Sequence, residues 1–305
     1  MSATLTVTDL VKSYGAVQAV RGLSFAVAPG EIFGLLGPNG AGKTTTIECL
    51  IGLRDADGGS ITICGHDLRR EGDAVRERIG VQLQATALPE RITVREALQL
   101  FASFYRKRAD PEALLARFSL TEKAAARFET LSGGQKQRLA MALAMVNEPD
   151  VLFLDEPTAA LDPQARRELH EAIRGVRAAG RSVVLTTHYI DEAELLCDRV
   201  AIVDHGKIIA LDTPARLIAG TSASTRVAFT TAAPLPAEAV RVLEGVDGVS
   251  ANGTATVLAT AAPNRTIIAL VRLIESSGGE LVDLQIRKPT LEDVFIQLTG
   301  RALRD

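Results

Sequence analysis

Residues 32–45 constrain the chain more than any other stretch. An apolar run, Ile32-Phe33-Gly34-Leu35-Leu36, passes directly into Gly37-Pro38-Asn39-Gly40-Ala41-Gly42-Lys43-Thr44-Thr45, after which the pattern turns helical. This is the spacing GxxxxGK[ST] in its strand-to-helix setting, the context in which that loop cradles phosphates. Glycines at 37, 40 and 42 let successive backbone N–H groups point at phosphate oxygens, and the helix start adds partial positive charge. Lys43 is suited to neutralise the β- and γ-phosphates, and the Thr44 hydroxyl to meet Mg²⁺. The bland alternative, a glycine-rich turn without a ligand, does not explain the strand before it and the helix after it.

A loop of this kind belongs to an α/β fold, and the rest of the chain fits one. With 305 residues the chain has room for one large core and a smaller appendage. Residues 1–220 alternate β-branched runs with glycine-rich turns and helical stretches, as buried parallel strands require. The clearest strands are predicted at 32–36, 151–154, 183–186 and 200–203. Between about 85 and 150 the pattern becomes helical: Thr93-x-x-Glu96 reads as a capping box and Asp110-Pro111 as a second helix start. After Gly220 a run of small residues and Pro reads as a domain boundary. Beyond it, strands at 225–231, near 247–250, 253–260 and 280–287, with helices at 236–245, 264–276 and 290–299, predict a small α+β domain over 221–305 of βαββαβ type.

Composition removes several function classes. A net charge of −3 gives no broad electrostatic case for nucleic acid. No apolar run approaches the roughly 18–20 residues needed to cross a bilayer, and MSATLTVTDL does not read as a signal peptide. Cys49, Cys64 and Cys197 are isolated, which suits a reducing cytoplasm, and the four histidines show no metal-ligand spacing.

Three further motifs carry chemistry. Val151-Leu-Phe-Leu-Asp155-Glu156 sets two acids at the end of an apolar strand. There Asp155 can hold Mg²⁺ through its water shell and Glu156 can polarise an attacking water. Alone, such a pair is more often a helix cap; the phosphate loop changes that balance. Leu131-Ser132-Gly133-Gly134-Gln135 opens a helix and offers a second anion-binding surface. Since the chain already has one phosphate loop, this second surface makes most sense serving a nucleotide held by another subunit. His188 follows the run Val183-Val-Leu-Thr-Thr187 and can donate to a γ-phosphate.

In this order the motifs resemble those of the ABC ATPases over essentially the first 220 residues: Walker A at 37–45, the LSGGQ signature at 131–135 and Walker B at 151–156. The resemblance implies an ABC-type P-loop NTPase with a RecA-like core and a helical subdomain, ATP and Mg²⁺ as cofactors, and ATP hydrolysis between two copies of the chain. It implies that Tyr14 stacks on adenine, that Gln84 reaches Mg²⁺ and the attacking water with Gln82 as its competitor, that Asp162 of Ala159-Ala-Leu-Asp162 lies on a loop crossing the dimer interface, and that His188 is the switch histidine. The stretches HYIDEAELLCDRVAIVDHGKIIALDTP and KPTLEDVFIQLTGRALRD are similar to ATPase subunits of ABC-2-type exporters, with the daunorubicin-resistance group as the named likeness. Separate membrane permeases and a peripheral position on the inner membrane face follow from that likeness. The sequence after Gln84, ATALPERITVREAL, departs from relatives that place Pro or Asp there. A soluble ABC ATPase acting on ribosomes or DNA, and an importer subunit, are the competing readings. The 221–305 tail reads as a dimerisation or stability module in preference to a drug-binding one.

Overall fold

The computed structural model describes residues 3–84, 87–159, 161–221 and 224–301, and contacts divide the chain into two compact units at Pro214/Ala215. The chain opens with a hairpin of β1 (Leu5–Tyr14) and β2 (Val17–Val27), then β3 (Ile32–Leu36), α1 (Lys43–Leu50), β4 (Gly58–Ile63), β5 (His66–Asp67), α2 (Gly72–Arg76) and β6 (Ile79–Gln82). Helices α3 (Val94–Ser103), α4 (Pro111–Arg117) and α5 (Gly133–Leu143) follow, with 3-10 turns at Thr121–Lys123 and Phe128–Thr130. The first unit closes with β7 (Val151–Asp155), α6 (Pro163–Ala178), β8 (Ser182–Thr187), α7 (Ile190–Leu196), β9 (Arg199–Asp204) and β10 (Lys207–Asp212).

Two sheets build this unit. The larger runs β10-β9-β3-β8-β7-β6, parallel from β9 through β6, with β10 antiparallel at its edge. Every residue of β3, β7 and β8 is buried, which is why these strands read as continuous apolar runs and not as alternating ones. The smaller sheet, β2-β1-β4-β5, is antiparallel and turns one face inward. Leu5, Val7, Leu23, Phe25 and Ile63 from that face pack with Phe33, Leu35, Phe153, Val184 and the α1 residues Ile47 and Leu50, and the rings of Phe25 and Phe33 stack at 5.0 Å. The phosphate-loop helix is thereby held between the two sheets.

The expected capping box is present at Thr93–Glu96, and Asp110 caps α4 with Pro111 in its first turn. Helix α5 returns from this helical region to the sheet, and a Cβ on Gly80 of β6 would come 1.9 Å from Ala144 O just past its end. Only a glycine allows that approach.

In the second unit, α8 (Pro214–Ala219) begins at the divide and is followed by β11 (Thr225–Thr231), α9 (Ala237–Arg241), β12 (Val246–Asn252), β13 (Ala255–Thr260), α10 (Pro263–Ser276), β14 (Leu281–Arg287) and α11 (Leu291–Thr299). Its antiparallel sheet runs β12-β13-β11-β14, and Val227, Phe229 and Leu258 pack there with Val240, Leu270 and Ile274. The divide lies before Gly220, not at it. Gly220 donates its N–H to Arg216 O at 2.9 Å at the end of α8. Helix α9 is shorter than the 236–245 predicted, because the chain turns through Gly245 at φ 81° before β12.

Candidate functional site

The site grows from the end of β3. A Cβ at Gly37 would meet Val203 O at 2.2 Å, and Gly42, at φ 99°, sits where a Cβ would meet Ala19 O at 2.3 Å. Both positions therefore exclude any other residue. Gly42 is the N-cap of α1, and no side chain caps that helix. Lys43 folds back over the loop: its Nζ donates to Gly37 O at 2.8 Å and Pro38 O at 3.1 Å and lies 3.3 Å from Glu156 Oε1. Burial pulls the Lys43 ammonium below the usual lysine range, with the nearby Glu156 and Asp155 carboxylates pulling the other way.

Asp155 ends β7 and is buried. Its Oδ1 accepts from Thr44 Oγ1 at 3.2 Å and from Thr186 Oγ1 on the neighbouring strand. Burial raises its carboxyl above the usual range, and these two hydrogen bonds offset part of that rise. The chain then leaves the sheet at Glu156 with φ 46°, a left-handed conformation that costs a non-glycine residue on the order of 1–3 kcal/mol and is retained where the surroundings enforce it. The enforcement is visible: Glu156 N donates to Thr186 Oγ1 at 2.9 Å and to Thr186 O at 3.2 Å. The turn aims the Glu156 carboxylate between Lys43 and His188, whose Nδ1 lies 3.1 Å from Glu156 Oε2. That contact is close but not aligned as a hydrogen bond.

These groups open on one cleft of about 570 Å³, bordered by Tyr14, Asn39, Gly40, Gly42, Lys43, Thr44, Thr45, Gln84, Glu156 and His188. Tyr14 is 42 % exposed at the end of β1, with Arg54 and Lys12 near its ring at 5.9 and 5.7 Å. A flat, half-open ring on the cleft wall can stack on a base. Pro38 and Ala41 complete the loop, and Ala41 is buried under it. Of the two candidate glutamines, Gln82 ends β6 with its amide buried and unpartnered, whereas Gln84 borders the cleft. Thr44 and Asp155 offer a hydroxyl and one carboxylate as hard oxygen donors. No group of three or more His, Cys, Asp and Glu side chains among the described residues is placed to hold a metal ion by itself. That donor set fits Mg²⁺, which is held by one or two carboxylates together with phosphate oxygens.

Ser132, Gly133, Gly134, Gln135 and Asp162 do not border this cleft. Ser132 caps α5 through a reciprocal box, in which Gln135 N donates to Ser132 Oγ at 3.3 Å and Ser132 N donates to Gln135 Oε1 at 3.0 Å. Asp162 caps α6, accepting from Gln164 N and Ala165 N at 2.9 Å, bonds that hold its carboxyl below the usual range. The two helix starts adjoin: a Cβ on Gly134 would lie 3.0 Å from Ala165 Cβ. One functional residue escapes the sequence reading. Thr186 clamps both Asp155 and the Glu156 backbone, and the available signal was a threonine at the end of an apolar strand running beside the acidic one.

A phosphate loop closing on an acidic strand end, with a histidine after the next strand, defines a nucleotide-hydrolysing cassette. Residues 20–159 match the ABC transporter family model. The chain is 40% identical over 306 residues to the Nod factor export ATP-binding protein I of Paraburkholderia xenovorans (strain LB400), covering 96% of each chain. It is 39% identical to the daunorubicin resistance ATP-binding protein DrrA3 of Streptomyces coeruleorubidus, covering 97% of this chain and 96% of the relative. A solved ATP-binding subunit of an ABC transporter, 32% identical, superposes with a TM-score of 0.64 over 70% of this chain and 91% of its own. The chain belongs to the ABC transporter ATP-binding family, whose members are ATPases.

Proposed function

We propose that this chain is the ATP-hydrolysing subunit of an ABC-2-type export system, working beneath separate membrane permeases and as a pair with a second copy of itself. The observation that carries the hydrolytic half is Glu156, turned out of β7 at φ 46° and held between Lys43 and His188. In this reading Glu156 polarises the attacking water, His188 holds water and γ-phosphate in register, and Gln84 reaches from the cleft rim toward water and metal. The loop from Gly37 to Thr45 binds the phosphates through its backbone and Lys43, Tyr14 takes the adenine, and Thr44 and Asp155 hold Mg²⁺, which would screen the γ-phosphate charge.

Three observations support the remaining parts. The start of α5 lies off the cleft that holds Lys43, so Ser132 to Gln135 are available to a nucleotide bound by another copy, with Asp162 beside them at the start of α6. The relatives aligned end to end are named for export and drug resistance. No helix among the described residues is long and apolar enough to cross a membrane; in this reading the separate permeases pass the cargo and the chain acts at the cytoplasmic face of the membrane. The Ala215–Ala302 unit serves as an accessory module of dimerisation or stability.

The test is recovery of the tagged Glu156→Gln variant from its native membrane with ATP present, followed by mass spectrometry. A polytopic membrane protein co-purifying in an ATP-dependent manner is the expected result. Ribosomal proteins or nucleic acid in its place would overturn the export reading.

A further inference from the structure

The buried His170–Glu192 pair has no part in the chemistry above. His170, on α6, is 5 % exposed, and Glu192, on α7, is 2 % exposed; His170 Nε2 lies 3.1 Å from Glu192 Oε1. Glu192 Oε2 has no partner, so His170 is the contact that orients this carboxylate. One turn earlier on α6, and hence on the same face, Arg166 lies over the ring of Tyr189 at 4.7 Å. Tyr189 follows His188 directly, and their rings lie 4.1 Å apart. Helix α6 thus grips the segment after β8 at two points, Tyr189 and Glu192, on either side of the start of α7. Helix α7 has only seven residues and no side-chain cap, so its position depends on these contacts and on its buried face of Ala193 and Leu196.

The opposite side of α6 is tied to α5. Arg138 Nη1 donates to Glu168 Oε2 at 2.7 Å, and Gln164 Nε2 donates to the other oxygen at 3.2 Å. We infer that α6 is a connecting bar between the signature helix and the switch histidine, and that His170 and Glu192 are a positioning pair for hydrolysis, holding His188 in register with the start of α5. A buried polar pair stabilises a fold little beyond what apolar residues of similar volume would supply, while its directionality fixes one arrangement. Movement of α5 on engaging another copy's nucleotide then reaches His188 through α6. The inference rests on the proposed role of His188, so its test carries a separate control.

ATP turnover of the full chain with Mg²⁺ is compared for wild type, His188→Ala, the double variant His170→Leu/Glu192→Leu, and Glu192→Gln. The double variant is expected to keep its fold and melting temperature, to lose kcat about tenfold and to hold KM for ATP within about twofold, the pattern of lost alignment and not lost binding. Glu192→Gln, which retains an acceptor for Nε2–H, is expected to keep kcat close to wild type. Wild-type kcat in the double variant, with His188→Ala impaired, overturns the inference alone. Loss in Glu192→Gln as deep as in the double variant also overturns it, because charge and not position would then matter. Undiminished turnover in His188→Ala overturns the site reading and this inference with it. Should the double variant not fold, Arg166→Leu tests the other grip point: a lowered kcat at constant KM supports the bar, and an unchanged kcat overturns it.

Discussion

Two glycine-bearing helix starts, those of α1 and α5, are built from similar residues and end in opposite states. At α1 the N-cap is Gly42, no side chain caps the helix, and the nearby lysine is buried and turned onto backbone carbonyls. At α5 the N-cap is Ser132, and its own Gln135 occupies the cap in a reciprocal box. The first start is open to an anion within its own chain and surrounded by Thr44, Asp155, Glu156 and His188. The second is self-satisfied, half-exposed and does not border the cleft that holds those groups. The difference teaches that a helix N-terminus is open to a phosphate within its own chain through what is withheld from it: the side chain that would otherwise satisfy its donors.

Breaking the open start is expected to give the largest effect. Lys43→Ala removes the one cation on the loop and leaves the Glu156 carboxylate, 10 % exposed, without its countercharge. ATP affinity measured by equilibrium binding should fall by about a hundredfold or more, and turnover with it. Undiminished affinity would remove Lys43 from the phosphate site. Breaking the self-satisfied start should separate binding from turnover. In Ser132→Ala the single chain should bind ATP as wild type does, while hydrolysis drops by about tenfold to a hundredfold. The sharper version mixes Lys43→Ala protein with Ser132→Ala protein. A pair of unlike copies contains one site with both halves intact, so turnover should recover above that of either variant alone, and no recovery would argue that both halves act within one chain.

The comparison also has a stability side. Burial raises the Asp155 carboxyl and lowers the Lys43 ammonium, so folding disfavours the charged form of each. For Asp155 the folded value lies above the unfolded one: the penalty is absent below the usual carboxylate range and grows as pH rises through the folded value. For Lys43 the folded value lies below the unfolded one, and its penalty grows as pH falls from the usual lysine range. Both penalties are present near neutral pH. Asp155→Asn should therefore melt a few degrees higher than wild type without nucleotide at neutral pH, while losing turnover. That gap should close as pH is lowered below the usual carboxylate range. A gap independent of pH would place the effect elsewhere.

The sequence showed the open start more fully than the closed one, for a physical reason. Gly37, Gly42, Lys43, Asp155 and Glu156 each occupy a position where backbone geometry or burial restricts the residue type, so the phosphate loop is legible by its spacing and the acidic pair by its company. Ser132-x-x-Gln135 is readable both as a capping box and as an anion surface, and in the single chain the box is occupied. Thr186 stayed hidden because its two hydrogen bonds cross to a strand about thirty residues away, and a local pattern carries no information on that pairing. In the Ala215–Ala302 unit, alternation along β11 and β13 marked the strands, since one face is buried and the other is not.

The smallest expected effect falls on the least enclosed member of the site. Tyr14 is 42 % exposed and touches the cleft from its rim, and its ring already faces Arg54 and Lys12. Stacking a base there displaces little water, so it contributes about 0.5–1.5 kcal/mol. Tyr14→Ala should weaken ATP binding by roughly two- to tenfold with kcat unchanged, and Tyr14→Phe should match wild type, because the ring and not the hydroxyl makes the contact. A loss in Tyr14→Phe equal to that in Tyr14→Ala would assign the contribution to the hydroxyl. A loss of kcat in Tyr14→Ala would mean that the rim of the open start, and not only its floor, sets the alignment of Glu156.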